Sequence, residues 1–293
     1  MQIYINPDKK NWAELLSRPV ADNSAIMNTV QSVLDDVHSR GDAAILEYEK
    51  KFDKAELSEL LVSKEEIDEA SMLVSQDLKD AIAQAISNIS KFHSAQLRDL
   101  PVIETCKGVK CWQKAVAIEK VGLYIPGGTA PLFSTVLMLA VPAKIAGCSE
   151  IVLCTPPNAE GKVNPAILYA ASQAGTTSIY KIGGVQAIGA MAYGTESVPK
   201  VYKIFGPGNP FVTTAKQIVS VKDVAIDMPA GPSEIAIIAD DSQRAEIVAA
   251  DMLSQAEHDK NASAVLVTDS MKLAEAIREE LERQLPLLDR YEI

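Results

Sequence analysis

Histidine is scarce in this chain of 293 residues, which contains only His38, His93 and His258. Any histidine chemistry is therefore confined to these positions. No two of the four cysteines form the C-x-x-C pair of zinc ribbons and thioredoxin-type proteins. The sequence also lacks the G-x-G-x-x-G dinucleotide fingerprint and the G-x-x-x-x-G-K-[ST] phosphate loop, so any bound nucleotide is held in another way.

Positive charge and long apolar runs are lacking as well. The formal net charge is −11, which argues against nucleic acid or an anionic membrane surface as the main partner. The amino-terminal residues MQIYINPDKKNW contain no apolar signal core, and the longest apolar runs are far shorter than a membrane span. We therefore expect no membrane association, a cytoplasmic location and reduced thiols.

The amino-terminal third is predicted to be mostly helical after a short arm at residues 1–20. Residues 23–38 carry apolar side chains at helical spacing, and GDAAILEYEKKFD (41–53) predicts a second, short helix. Ser63 and Glu66 form the capping box of a long helix. The apolar residues of that helix are Ile67, Leu73, Leu78, Ile82, Ile86 and Ile89.

This helical part carries no chemical motif, and neither does the segment after it. We interpret His38 and His93 as helix-end or surface residues, because cations suit helix C-termini. The alternating segment VIETCKGVKCWQKAVAI (102–118) predicts a β-hairpin with a Lys-Gly turn. Cys106 and Cys111 flank the turn and are expected to be ordinary thiols, since nothing nearby lowers their pKa.

From Val121 onward, strands and helices alternate. The predicted strands are VGLYI, EIVLC, SIYKI, VYKIF, VAIDM, EIAIIA and SAVLVT, and apolar helical stretches such as FSTVLMLAVPAKIAG separate most of them. This alternation predicts a parallel sheet with helices on both faces. The fold class is therefore α/β.

Glycine turns follow four of these strands. They are IPGG (125–128), IGG (182–184, the Gly183 turn), FGPGN (205–209, the Gly206 turn) and PAGPSE (229–234). Ligands of open α/β sheets bind at the carboxyl ends of the strands, where glycine and a helix N-terminus offer backbone N–H groups to phosphate. The alternative is tight packing. Cys154 ends a strand at this edge, either as an aldehyde-attacking thiol or, as we favour, as a buried inert cysteine.

The segment LSQAEH (253–258) places Gln255 and His258 three residues apart, on one face of a predicted helix end. A carboxamide oxygen beside an imidazole is half of a possible zinc site. The commoner alternative is a solvated histidine at a helix end. The pair alone does not decide between them.

Several long segments resemble histidinol dehydrogenase, with few gaps from about residue 20 to the end. They are VGLYIPGGTAPLFSTVLMLAVPAKIAGC, KIGGVQAIGAMAYGTESVPKVYKIFGPGN, AIDMPAGPSEIAIIAD and LSQAEHD. The resemblance implies oxidation of L-histidinol through the aldehyde to L-histidine, the last two steps of histidine biosynthesis, with two NAD molecules and one zinc ion per subunit. It also implies a homodimer with shared active sites.

The resemblance further assigns roles to six positions. Tyr124, Gln186 and Asn209 match NAD contacts. Ser233 matches a substrate contact, and Gln255 and His258 match zinc ligands that also contact the substrate.

The same resemblance implies two Rossmann-like units with a helical amino-terminal region. Residues 124–233 are expected to form one continuous unit. Residues 21–123 with 234–293 are expected to form the other, interrupted by the first and cut short.

One departure from the family bears on activity. The family's catalytic Glu-His pair lies in a Gly-Pro-Glu-His-Leu stretch that this sequence does not contain, so no catalytic residue is assigned. We therefore expect a chain that lacks the carboxyl-terminal part of the family fold and is inactive alone. The alternatives are a related dehydrogenase of another small polar alcohol, such as a sulfopropanediol, and a non-catalytic fragment that binds a partner chain or a nucleotide.

Overall fold

The computed structural model describes residues 2–17, 24–98, 100–127, 131–229, 234–257 and 262–288. The chain forms two compact units. One consists of Met1–Asp22 with Ala230–Ile293, and the other of Asn23–Pro229. Across the described ranges, no helix is both long and apolar enough to cross a membrane.

Helices dominate the chain before its first strand, as predicted. After a 3-10 turn at Lys9–Asn11 they are α1 (Trp12–Leu15), α2 (Ser24–Arg40), α3 (Asp42–Tyr48), α4 (Lys64–Leu73) and α5 (Gln76–Ser94). A π-helical turn, Glu49–Asp53, continues α3. His38 and His93 lie in the last turns of α2 and α5, as predicted.

The long helix predicted after Ser63 is in fact two helices. The capping box of Ser63 and Glu66 is present and starts α4. At Val74 the backbone becomes extended, and the Ser75 side chain accepts a hydrogen bond from the N–H of Leu78 to start α5. The prediction of one helix was wrong because the apolar spacing continues across a break that Ser75 caps.

The remaining elements of the larger unit alternate between strand and helix after a hairpin. The exposed hairpin is β1 (Ile103–Cys106) and β2 (Val109–Cys111), paired antiparallel as predicted. Then follow β3 (Lys120–Tyr124), α6 (Phe133–Ala146), β4 (Glu150–Thr155), α7 (Pro165–Ala174), β5 (Ser178–Lys181), α8 (Gly184–Tyr193), β6 (Lys203–Phe205), α9 (Pro210–Ser220) and β7 (Ala225–Ile226).

These strands form one parallel sheet in the order β5-β4-β3-β6-β7. Along the chain, β4 and β5 are added on one side of β3, and β6 and β7 are then added on its other side. The order therefore reverses between β3 and β6, which is the switch point of a doubly wound sheet. The predicted α/β class is confirmed.

Helices cover both faces of this sheet. Buried residues of α2, α3, α8 and α9 form one core, and those of α4 to α7 form the other. Val62, Ala70 and Ile82 pack in the second core with Val121 and Leu123 of β3. Because of this packing, residues 23–123 belong to the same compact unit as residues 124–229. The prediction had instead joined residues 21–123 to residues 234–293. Both divisions place a boundary near residue 230.

The smaller unit contains a second strand–helix alternation. Its elements are β8 (Glu234–Ile238), α10 (Ala245–Ala256), β9 (Ser263–Val267) and α11 (Met271–Gln284), followed by a 3-10 turn at Leu285–Leu287. The two strands pair in parallel. Val248, Met252, Leu273 and Ile277 form its small core. All seven strands predicted after Val121 are present.

Candidate functional site

A cavity of about 960 Å³ opens at the carboxyl ends of β3, β4, β5 and β6. This edge includes the switch point, where doubly wound sheets bind their ligands. Apolar side chains form much of the wall, among them Phe52, Pro126, Pro156 and Phe211. Tyr124, Gln186 and Asn209 also line the cavity, so the structure brings the three predicted cofactor contacts together.

Tyr124 is the last residue of β3 and is almost fully buried, with 3% exposure. Its hydroxyl oxygen accepts a hydrogen bond from the N–H of Gly184 (3.1 Å). Burial raises the pKa of Tyr124 well above its usual value. The phenol therefore stays protonated and keeps an O–H donor at the cavity.

Gln186 lies in the first turn of α8 and is buried, yet only half of its carboxamide is satisfied. Its Nε2 donates to Oε1 of Glu49 (2.9 Å), while its Oε1 has no hydrogen-bond partner. Oγ1 of Thr155, at the end of β4, is also buried without a partner. Buried polar atoms are almost always hydrogen-bonded, so two such atoms lining one cavity indicate a polar ligand.

Asn209 caps the helix that follows the Gly206 turn. Its Oδ1 accepts a hydrogen bond from the N–H of Val212 (3.0 Å), which starts α9. Because the amide oxygen is used in this way, the exposed side chain offers its NH₂ group to the cavity.

Three amides of the two central glycine turns are not free for phosphate, contrary to the expectation from the sequence. Gly183 donates to Oε1 of Glu49 (2.9 Å), and the N–H of Gly184 is used by Tyr124. Gly206 donates to Oδ2 of Asp227 (2.8 Å). These three N–H groups were expected to bind a ligand, but they donate to side chains of the same unit instead.

Lys216 and Asp227 fasten the Gly206 turn. Lys216 is 5% exposed, forms an ion pair with Asp227 and donates to the carbonyl oxygen of Gly206 (2.7 Å). Gly206 has a φ of +126°, and a Cβ atom there would collide with the carbonyl oxygen of Tyr124. Glycine at this position therefore lets the ends of β6 and β3 approach each other at the switch point.

Two acidic residues lie at the Gly183 turn, and one of them, Glu49, accepts the hydrogen bond of the Gly183 N–H. Glu49 is fully buried, and Asp53, one turn later, lines the cavity. Neither residue was predicted from the sequence as part of the site, and neither Lys216 nor Asp227 was predicted. A signal was present for Glu49, which lies four residues after buried Ile45 and so continues the apolar face of α3.

The cysteines support the unreactive interpretation. Cys106 and Cys111 are exposed and free, and Cys154 is free and fully buried at the end of β4. Burial raises the pKa of the Cys154 thiol well above its usual value. A thiol held protonated is a poor nucleophile, so an aldehyde-attacking role is not favoured.

The predicted metal and substrate residues are described only in part. Gln255 lies in the last turn of α10 and is half-buried, while Ser233 and His258 lie outside the described residues. Among the described residues, no group of three or more His, Cys, Asp or Glu side chains is arranged to hold a metal ion. The zinc assignment therefore still rests on the sequence.

The fold and the cavity define an α/β protein of the doubly wound type with a ligand site at its switch point. The sequence profile of the family described as histidinol dehydrogenase matches residues 16–293. The chain belongs to the histidinol dehydrogenase family, which consists of oxidoreductases of histidine biosynthesis.

Individual relatives agree with this membership. The histidinol dehydrogenase of Bacteroides thetaiotaomicron is 60% identical over 293 residues, which cover 100% of this chain and 68% of the relative. The histidinol dehydrogenase of Shewanella oneidensis is 52% identical, and the match covers 99% of this chain and 67% of the relative. The crystal structure of histidinol dehydrogenase from Elizabethkingia anophelis matches with a TM-score of 0.97 at 51% identity. The match covers 100% of this chain and 67% of the chain in that structure.

Proposed function

We propose that this chain carries the NAD site and part of the zinc and substrate site of an enzyme that oxidises L-histidinol through the aldehyde to L-histidine. One observation carries the proposal: Tyr124, Gln186 and Asn209 line a single cavity at the switch point of the sheet. The substrate is inferred from the relatives, which are histidinol dehydrogenases. The cavity supports a dinucleotide in particular.

The residues around the cavity suit NAD. Apolar walls from Pro126 and Pro156 offer flat surfaces to aromatic rings, and a site of this size accommodates a cofactor-sized ligand. The unpartnered Oε1 of Gln186 and Oγ1 of Thr155 supply the few polar contacts that orient such a ligand. When bound, NAD accepts hydride from the alcohol carbon. Tyr124 holds its phenol proton throughout and positions the cofactor.

The substrate end is assigned to Ser233, Gln255 and His258. In this proposal Gln255 and His258 supply two of the ligands of one zinc ion per subunit, and Ser233 contacts the substrate. Imidazole binds zinc only in its neutral form. We further propose a cytoplasmic homodimer with shared active sites, consistent with the net charge of −11 and reduced cysteines.

The pH dependence of zinc binding tests the substrate end. If His258 is a ligand, zinc affinity falls as the pH drops below about 6.5, the usual pKa of histidine. The variant His258→Ala binds zinc more weakly and without this dependence. Equal zinc binding by both proteins contradicts the assignment, and His93→Ala is the matched control, since that ring is bonded locally to Gln96.

Turnover tests the proposed reaction. Removal of hydride requires a base for the hydroxyl proton, and a positioned base contributes roughly 10²–10⁴-fold. No such base is assigned within residues 1–293. A polypeptide of these residues is therefore expected to bind NAD in calorimetry but to form no NADH from histidinol and zinc. NADH formation at the rate of a longer relative contradicts this part of the proposal.

The same assays separate the alternatives. A related dehydrogenase of a sulfonated propanediol turns over that diol in preference to histidinol once the remaining family segments are supplied. A non-catalytic fragment binds NAD or a partner chain and turns over neither alcohol under any such conditions. The polar groups at the cavity, from Tyr124, Thr155, Gln186 and Asn209, support dinucleotide binding. Turnover therefore decides between the enzyme and the fragment.

A further inference from the structure

Glu49, which is fully buried, and Asp53, which is half-buried at the cavity, form an acidic pair at the Gly183 turn. Oε1 of Glu49 accepts two hydrogen bonds, from the N–H of Gly183 and from Nε2 of Gln186, each 2.9 Å long. Oε2 of Glu49 is equally inaccessible to solvent and receives no hydrogen bond from any donor. An ionised carboxylate with one such oxygen in the interior is costly, whereas a protonated one has an O–H to donate.

Asp53 provides the acceptor for that proton. The π-helical turn places it on the same side of the chain as Glu49, near enough for each carboxyl group to shift the pKa of the other. Oδ2 of Asp53 lies 3.1 Å from the position that a Cβ atom at Gly183 would take. Asp53 therefore faces the Gly183 turn as well as the cavity.

Lys162 lines the same cavity as Asp53, but its ammonium group is paired with Glu69 (3.5 Å). Within the described ranges, no lysine or arginine forms a hydrogen bond or ion pair with either acid. The titratable groups that face the pair from the sheet are Tyr124 of β3 and Cys154 of β4. Burial raises the pKa of both, so both are neutral between about pH 5 and pH 8.

We propose that Glu49 and Asp53 hold a single proton between them, and that this singly charged pair positions Gln186 and the Gly183 turn for an anionic dinucleotide. Binding of the dinucleotide weakens when the pair loses its proton. Glu49 is thus a positioning residue, which acts through Gln186 and Gly183. The inference rests on the proposed NAD site and adds a pH-sensitive element to it.

The direction of the effect follows from charge. Loss of the proton places a second negative charge under the cavity, where it repels a pyrophosphate, and leaves both carboxylates without a donor between them. Burial and the neighbouring Asp53 raise the pKa of Glu49 to about 7, so the proton is lost near neutral pH. At an interior effective dielectric, a like charge several ångströms away weakens binding by about tenfold.

The test compares NAD affinity by calorimetry at about pH 6 and about pH 8.5, on either side of the transition. For the wild type we expect about tenfold weaker binding at the higher pH. In Glu49→Gln the amide accepts the same two hydrogen bonds and donates permanently to Asp53, so we expect an affinity that is nearly independent of pH. Glu56→Gln, at an exposed position paired only with Lys50, is the control and keeps the wild-type dependence.

An unchanged pH dependence in Glu49→Gln overturns the proposal. If neither protein binds NAD at any pH, the proposed cofactor site fails, and the acidic pair is then judged by carboxyl ¹³C NMR without ligand. There the wild type is expected to show a glutamate that titrates near neutral pH. That signal is absent in Glu49→Gln and titrates at lower pH in Asp53→Asn, because Asp53 raises the pKa of Glu49. A Glu49 signal that titrates in the ordinary glutamate range overturns the shared proton.

Discussion

The Gly183 turn and the Gly206 turn lie at the same cavity and use the same device, a carboxyl group that accepts a glycine N–H. That group belongs to fully buried Glu49 in the first turn and to partly buried Asp227 in the second. They differ in how the charge of that group is balanced. Asp227 is paired with Lys216, which also holds the carbonyl of Gly206. Glu49 has a second acid, Asp53, as its neighbour. Lys216 thus balances the charge of Asp227, whereas no cation among the described residues is paired with Glu49, whose pKa is raised by burial and by Asp53.

The charge of a carboxyl group in the interior depends on its partner as well as on its burial. The difference in partner also gives the two turns different sensitivities. The Gly206 turn depends on the ion pair of Lys216 and Asp227, and the Gly183 turn depends, in our proposal, on a proton shared by Glu49 and Asp53. The predictions below probe the two turns separately.

The largest effect is expected from Lys216→Met. Removing one partner of a buried ion pair leaves an uncompensated charge and costs roughly 3–5 kcal/mol. The Asp227 side chain is 28% exposed, so we expect the lower end, about 3 kcal/mol, in denaturant unfolding at neutral pH. The exposed Lys222→Met is the control and should change stability by less than about 0.5 kcal/mol. Equal effects of the two substitutions contradict the role of the ion pair.

A somewhat smaller, pH-dependent effect is expected from Glu49→Gln. The pKa of Glu49 is raised from 4.5 to about 7 in the folded protein. Its contribution to stability is therefore fully present below about pH 4.5 and is lost as the pH rises through about 7. Relative to Glu49→Gln, the free energy of unfolding of the wild type should fall by roughly 2–3 kcal/mol between these limits, since one pKa unit is about 1.4 kcal/mol. Parallel stability curves for the two proteins contradict the raised pKa.

The smallest effect is expected at Asn209, at the end of the Gly206 turn. Asn209→Ala removes both a helix cap and an amide donor, whereas Asn209→Ser keeps the cap and removes only the donor. We expect both to weaken NAD binding by about 1–3 kcal/mol, and only the alanine variant to lose about 1 kcal/mol of stability as well. Ser75→Ala, a cap of α5, is the matched control for stability alone. Unchanged NAD affinity in both Asn209 variants removes this residue from the site.

Much of the fold was predictable because its signals are local. The strands after Val121 stand out as short apolar segments between glycine turns, and the Ser63 capping box marks a helix start by residue type. The break at Ser75 was missed because apolar spacing is nearly the same in one bent helix and in two. The assignment of residues 23–123 to the larger unit depends on packing between distant segments, which periodicity does not encode.

At the site, the sequence predicted residues that line the cavity but not the side chains that hold its turns. Tyr124, Gln186 and Asn209 were located through long motifs, and they do meet in one cavity. The side chains that hold the turns were missed because their partners are far apart in the sequence, as Glu49 is from Gly183. For the same reason the glycine amides were expected to be free, although three of them are satisfied within the protein.

Amide hydrogen exchange with and without NAD tests the central claim most directly, namely that the dinucleotide binds at the switch point of the larger sheet. If NAD binds there, we expect slower amide exchange in the segments that line the cavity, 124–127, 155–158, 184–186 and 209–211. Exchange in the exposed hairpin Ile103–Cys111 should be unchanged and serves as the internal control. Protection by NAD elsewhere, with these four segments unaffected, would contradict the account.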